Sequence, residues 1–192
     1  MRSLFFKNNE FTTYLVKFIG IFCVLYFGTK ALIGLVSPGG YYVAFLDQYF
    51  NYISWLRASL LYAIKLLFTL TDFSVYNKNI YTIGIENGSG IHIVYSCLGY
   101  GVMSFWSAFV LANAGSKKKK ASWLLLGLLI IWSINVLRLS IFMLSNNNHW
   151  QIPFGLDHHN LFTVFAYGGI FIMMYFFDKS GKNNIEGAIQ DA

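Results

Sequence analysis

An all-α, polytopic transmembrane helical bundle is the fold class this sequence predicts, and three observations predict it. Of 192 residues, 56% are hydrophobic, 19% aromatic and only 11% charged, where a soluble domain carries about 25% charged residues. Several apolar runs approach or exceed the roughly 20 residues that cross a hydrocarbon core about 30 Å thick. The basic residues gather in short segments beside those runs, as orientation signals do. The net charge of +6 therefore gives no reason to expect a nucleic-acid partner; membrane lipids are the expected surroundings. The chain is too short for two domains, so residues 1–177 read as one membrane-embedded domain and 178–192 as a short cytoplasmic tail.

Residues 11–36 form the first expected span, with Lys17 and Lys30 near its ends, where long stems can snorkel. The basic stretch before it, Met1 to Lys7, resembles a targeting signal, but the apolar run is long and lacks a small-residue cleavage site, so an uncleaved span is expected. Ser37, Pro38, Gly39 and Gly40 break the helix. Across 41–72, the residues Asp47, Asn51, Ser54, Ala58, Lys65, Thr69 and Asp72 share one stripe at helical spacing. That predicts an amphipathic helix lying in the interface or against a polar cavity. Its second half, 58–70, is apolar enough to keep a fifth crossing open. Residues 73–93 are a polar loop in which Asn87-Gly88 between β-prone runs predicts a small hairpin. Residues 94–114, 121–144 and 161–177 are the remaining expected spans, with an asparagine-rich connector over 145–157.

Four consecutive lysines, Lys117 to Lys120, should stay in the cytoplasm, and Lys179 and Lys182 agree with them. Arg2 and Lys7 place the amino terminus on the same side. A chain that starts and ends inside needs an even number of crossings, which favours four spans plus an outer interfacial helix over five. The 73–93 and 145–157 loops then face outward.

This topology collects three costly side chains at one membrane face. Cys97 lies at the mouth of the 94–114 span. Arg138 lies six residues before the outer end of its span, about 9 Å deep at 1.5 Å per residue, in a run where a charge costs about 2.5–3.5 kcal/mol by insertion scales. His158 and His159 open the last span, behind Asp157 as a plausible N-cap. A thiol beside a guanidinium favours the nucleophilic thiolate, and either imidazole, His159 in preference to His158, could take and return a proton. Asn135, one turn before Arg138, could orient the guanidinium. Gly99 and Gly101 would let a backbone, such as a bound peptide, come close. No disulfide is expected, because Cys23 lies deep in the first apolar run, and neither a metal nor a cofactor is expected. A site of His92, Asp157, His158 and His159 lacks an i, i+4 histidine pair on a span, and His92 and His149 read as loop residues. A membrane scaffold for envelope or polysaccharide export, with Arg138 as a bundle strut, is the competing reading.

The order of these elements resembles the exosortase/archaeosortase family. The resemblance rests on a span opening with Tyr95, Ser96, Cys97, Leu98 and Gly99, a later span carrying Asn135-Val136-Leu137-Arg138, and a final span opening with Asp157, His158 and His159. It covers residues 70–177; the chain has Cys97-Leu98-Gly99 where the family commonly has Cys-Ser-Gly, and it is short for the family. The resemblance implies a multi-pass protein of the bacterial inner membrane acting as a cysteine protease and transpeptidase. Cys97 would match the family's nucleophile, Arg138 its arginine, and His159 or His158 its histidine, all on the periplasmic side. The implied substrates are exported proteins carrying a C-terminal motif, a transmembrane helix and a basic tail.

Overall fold

The structure, a computed structural model, describes residues 2–37, 41–71, 73–86, 88–148 and 167–180. Its order is α1 (Arg2–Val36), α2 (Ala44–Phe50), α3 (Tyr52–Phe68), β1 (Val75–Asn79), β2 (Thr82–Ile85), β3 (Gly90–His92), a 3-10 turn (Tyr95–Leu98), α4 (Tyr100–Ala112) and α5 (Lys117–Asn147). Residues 167–180 are also helical. The chain is mostly helical, consistent with an all-α class.

Two of these helices, over Glu10–Val36 and Lys117–Asn147, are long and apolar enough to cross a membrane. Only 11% and 33% of their most apolar windows are buried inside the protein. Side chains such as Val24 (73% exposed) and Leu125 (68%) point outward. A water-soluble protein hides such a surface in its core, so the distribution points to membrane association. At 1.5 Å per residue, α5 is about 46 Å long. The 13 residues of α4 span only about 20 Å.

Three expected elements differ in the structure. The 41–72 stripe is split at Asn51, which ends α2 and caps α3: its Oδ1 accepts from Ser54 N at 3.0 Å while its Nδ2 donates to Asp47 Oδ1 at 2.6 Å. The 94–114 run is not one helix, because Gly99 takes φ +75° and separates the 3-10 turn from α4. The 121–144 run extends in both directions. Ser116 caps it, its Oγ accepting from Lys119 N, so Lys117–Lys120 form a helical turn and not a loop.

α5 is the shaft on which two cores are built. At its lysine-bearing end, Trp106, Phe109 and Val110 of α4 pack with Ile131 and with Ile170, Met173 and Phe177 of the 167–180 helix. α1 joins through a ladder at i, i+4 spacing, Tyr14–Phe18–Phe22–Tyr26, with ring centroids 6.2, 6.4 and 5.5 Å apart. Phe105 meets Phe18 edge-on at 5.3 Å, and Tyr100 stacks on Tyr26 at 5.6 Å. Toward the other end, Val136, Leu139 and Met143 pack with Ile53, Leu60, Ile64 and Phe68 of α3 and with the sheet.

The sheet is antiparallel, in the order β1-β2-β3. Ile83, Ile85, Ile91 and Ile93 alternate along the chain and all turn inward, at most 4% exposed, as the period of two requires. The expected hairpin is present: Ile83 pairs with Ile91, and Ile85 N donates to Ser89 O. β1 adds a second hairpin, over 75–85, that the sequence reading did not include. Ser89 N and Oγ donate to Asn147 Oδ1 and Asn146 O, which fastens the sheet to the last turn of α5.

Candidate functional site

Cys97 lies in the short turn between the sheet and α4, not inside a helix. Its N–H donates to Val94 O at 2.9 Å, which closes the turn. The next residue, Leu98, is fully buried and anchors it. Gly99 then reverses into the left-handed region, where a Cβ costs about 1–2 kcal/mol, and its N-terminal position lets α4 start in a new direction. A Cβ on Gly99 would meet Asn135 Nδ2 at 3.4 Å. One on Gly101 would meet Tyr26 Cε2 at 3.4 Å. At both positions a side chain of the same protein stands at ordinary van der Waals distance from the glycine's open face.

Asn135, 1% exposed on α5, donates from Nδ2 to the carbonyl of Cys97 at 3.0 Å. It therefore holds the main chain of the cysteine, a different task from orienting the guanidinium. Its Oδ1 has no hydrogen-bond partner among the described residues. One turn further along α5, the Arg138 guanidinium lies beside the Cys97 thiol, within reach of hydrogen bonding and charge interaction. Both side chains are half-buried. The helix that carries the arginine thus also grips the backbone of the thiol. Cys97 and Cys23 are both free thiols.

Asp157, His158, His159 and His149 lie outside the described residues. His92 is exposed on β3, its Nδ1 3.0 Å from Thr82 Oγ1. Among the described residues no three His, Cys, Asp or Glu side chains gather around a common point.

One residue at the site escaped the sequence reading. Arg57 on α3 is 4% exposed. Its guanidinium carbon is 4.4 Å from the Tyr81 ring centroid and 4.6 Å from that of Tyr95, two residues before Cys97. The signal was available: Ile53, Arg57, Leu60, Ile64 and Phe68 share one face at helical spacing, so a charge stands at a core position. That face adjoins the polar stripe through Ser54 and Ala58, about 100° round the helix, so the two patterns interleave in the sequence.

Comparison of the chain with protein-family models, with curated proteins and with solved structures gave no match.

Proposed function

We propose that this chain is a multi-pass cysteine protease and transpeptidase of the bacterial inner membrane, with its reaction centre on the periplasmic side. The observation that carries the proposal is the pairing of the Cys97 thiol with the Arg138 guanidinium on a turn held from behind by Asn135. A packing cysteine needs neither a cation beside it nor a clamp on its carbonyl. The four-span topology, with Lys117–Lys120 inside, belongs to the same reading.

In the proposed reaction, His159 (or His158) accepts the thiol proton and the Cys97 sulfur attacks a peptide carbonyl. The new S–C bond forms as the carbonyl electrons move to oxygen, and Arg138 receives the developing oxyanion. Collapse breaks the C–N bond, the imidazole returns its proton to the leaving amine, and a thioester remains on Cys97. An acceptor nucleophile attacks that thioester and releases the thiol. The substrates on this reading are exported proteins whose C-terminal signal combines a short motif, a transmembrane helix and a basic tail. Their anchor would reach the centre through the membrane.

The test is processing of a co-expressed tagged substrate bearing such a signal, in cells with matched levels of wild type, Cys97→Ser, Cys97→Ala or Arg138→Ala. Wild type should shorten the substrate, all three variants should fail, and a substrate thioester should be trapped on Cys97. Processing by Cys97→Ala at the wild-type rate would remove the proposal and leave the membrane-scaffold reading in its place.

A further inference from the structure

The chemistry above gives no task to Arg57, the one arginine in the core of the described structure packed between tyrosines. Its Nε has no hydrogen-bond partner among the described residues. An apolar side chain would fill the same face of α3 without the desolvation cost of a buried cation. What a guanidinium adds is attraction for two ring faces at once.

Those rings belong to different segments. Tyr81 stands between β1 and β2, and its carbonyl accepts from Ile93 N at 2.8 Å. Tyr95 opens the turn that carries Cys97, and its hydroxyl accepts from Ser37 Oγ at 3.0 Å. The path from Arg57 to the thiol is therefore short: one ring contact, then two residues of a closed turn whose other side is held by Asn135. We propose that Arg57 is a positioning residue, which clamps Tyr81 and Tyr95 and so sets the Tyr95–Leu98 turn with the Cys97 thiol against Arg138. Its catalytic meaning rests on the function proposed above; its structural content does not.

The test needs no substrate. Full-length protein in a Cys23→Ala background, reconstituted in lipid vesicles, is alkylated with iodoacetamide and the modification of Cys97 is followed by mass spectrometry. Arg57→Met, which keeps the length and apolar stem, should slow alkylation on the order of tenfold, the factor expected when a sulfur loses one charge-assisted contact. Arg57→Lys, which retains a cation for the rings, should recover at least half of the wild-type rate. Tyr95→Leu should match Arg57→Met, and the double variant should be no slower than either single, since both remove one linkage. The proposal is overturned if Arg57→Met reacts at or above the wild-type rate, if the lysine gives no rescue, or if the two losses add. Should Arg57→Met fail to fold, Tyr95→Leu at the wild-type rate overturns it equally. Expected alkylation rates with no substrate processing would retain the positioning role and remove the transpeptidase. Normal processing with unchanged alkylation in Arg57→Met would do the reverse.

Discussion

Gly127→Ala adds one methyl group where the Trp106 side chain of α4 lies against α5. A Cβ there would overlap Nε1 and Cε2 of Trp106 and stand 2.7 Å from its Cζ2. Trp106 is fully buried, so the ring has no solvent to move into and must push α4 outward. Its Nε1–H, which donates to Trp123 O at 3.2 Å, would lose its partner. Overpacking of this kind costs about 1–3 kcal/mol and an unsatisfied buried donor about 1–3 kcal/mol. Replacing a helical glycine by alanine returns about 1 kcal/mol. The net expectation is a loss of about 1–5 kcal/mol. Reversible unfolding in mixed micelles, followed by helical circular dichroism and tryptophan fluorescence, would measure it. Two controls isolate the cause. Gly20→Ala on α1, where nothing lies within 4 Å of the new carbon, should stabilise by about 0.5–1 kcal/mol from helix propensity alone. In a Trp106→Leu background, Gly127→Ala should become neutral or stabilising. If Gly127→Ala is as stable as wild type with Trp106 in place, the α4–α5 packing described above is wrong, and with it the frame that brings Cys97 to Arg138.

Further outcomes follow from the turn and its supports. Gly99→Ala should destabilise by about 1–2 kcal/mol in thermal unfolding, because the left-handed φ is the obstacle and the 3.4 Å contact with Asn135 is an ordinary one; D-alanine at this position, introduced by semisynthesis, should be close to neutral. Asn135→Ala should cost about 1–3 kcal/mol by leaving the Cys97 carbonyl without its donor, and substrate processing should fall with it. In cells, a membrane-impermeant maleimide should label Cys97 from the periplasmic side, whereas a cysteine placed at Lys118 should react only after the inner face is opened. Labelling of both from the same side would exclude the proposed orientation.

The parts legible in the sequence were those governed by local chemistry. Asn87-Gly88 marked a hairpin, and β2 and β3 pair on either side of it. The long apolar runs marked α1 and α5, and the cost of a charge in such a run singled out Arg138, which meets Cys97. Less legible was anything decided by how elements meet. In an apolar run, Gly99 reads as room for an approaching backbone; only its φ of +75° reveals that the helix starts after it. Asn51 reads as one more polar-face residue, although its side chain caps α3 and ends the helix before it. Arg57 was hidden for a related reason, since its partners Tyr81 and Tyr95 lie 24 and 38 positions further along the chain and no local pattern joins them.

The length of α5 has a consequence for how the protein is made. The helix exceeds a 30 Å hydrocarbon layer by about 16 Å, and Arg138 stands nine residues from its far end at Asn147. With the layer centred on the helix, Arg138 would stand about 6 Å inside its outer edge, short of the midplane where a charge costs most. On the proposed membrane reading, α5 can therefore enter lipid as an ordinary hydrophobic segment. The thiol, by contrast, arrives on a turn that is not part of any inserted helix. The two become neighbours where Asn135 of the shaft takes hold of the Cys97 carbonyl, so their meeting belongs to the tertiary fold and not to either segment alone.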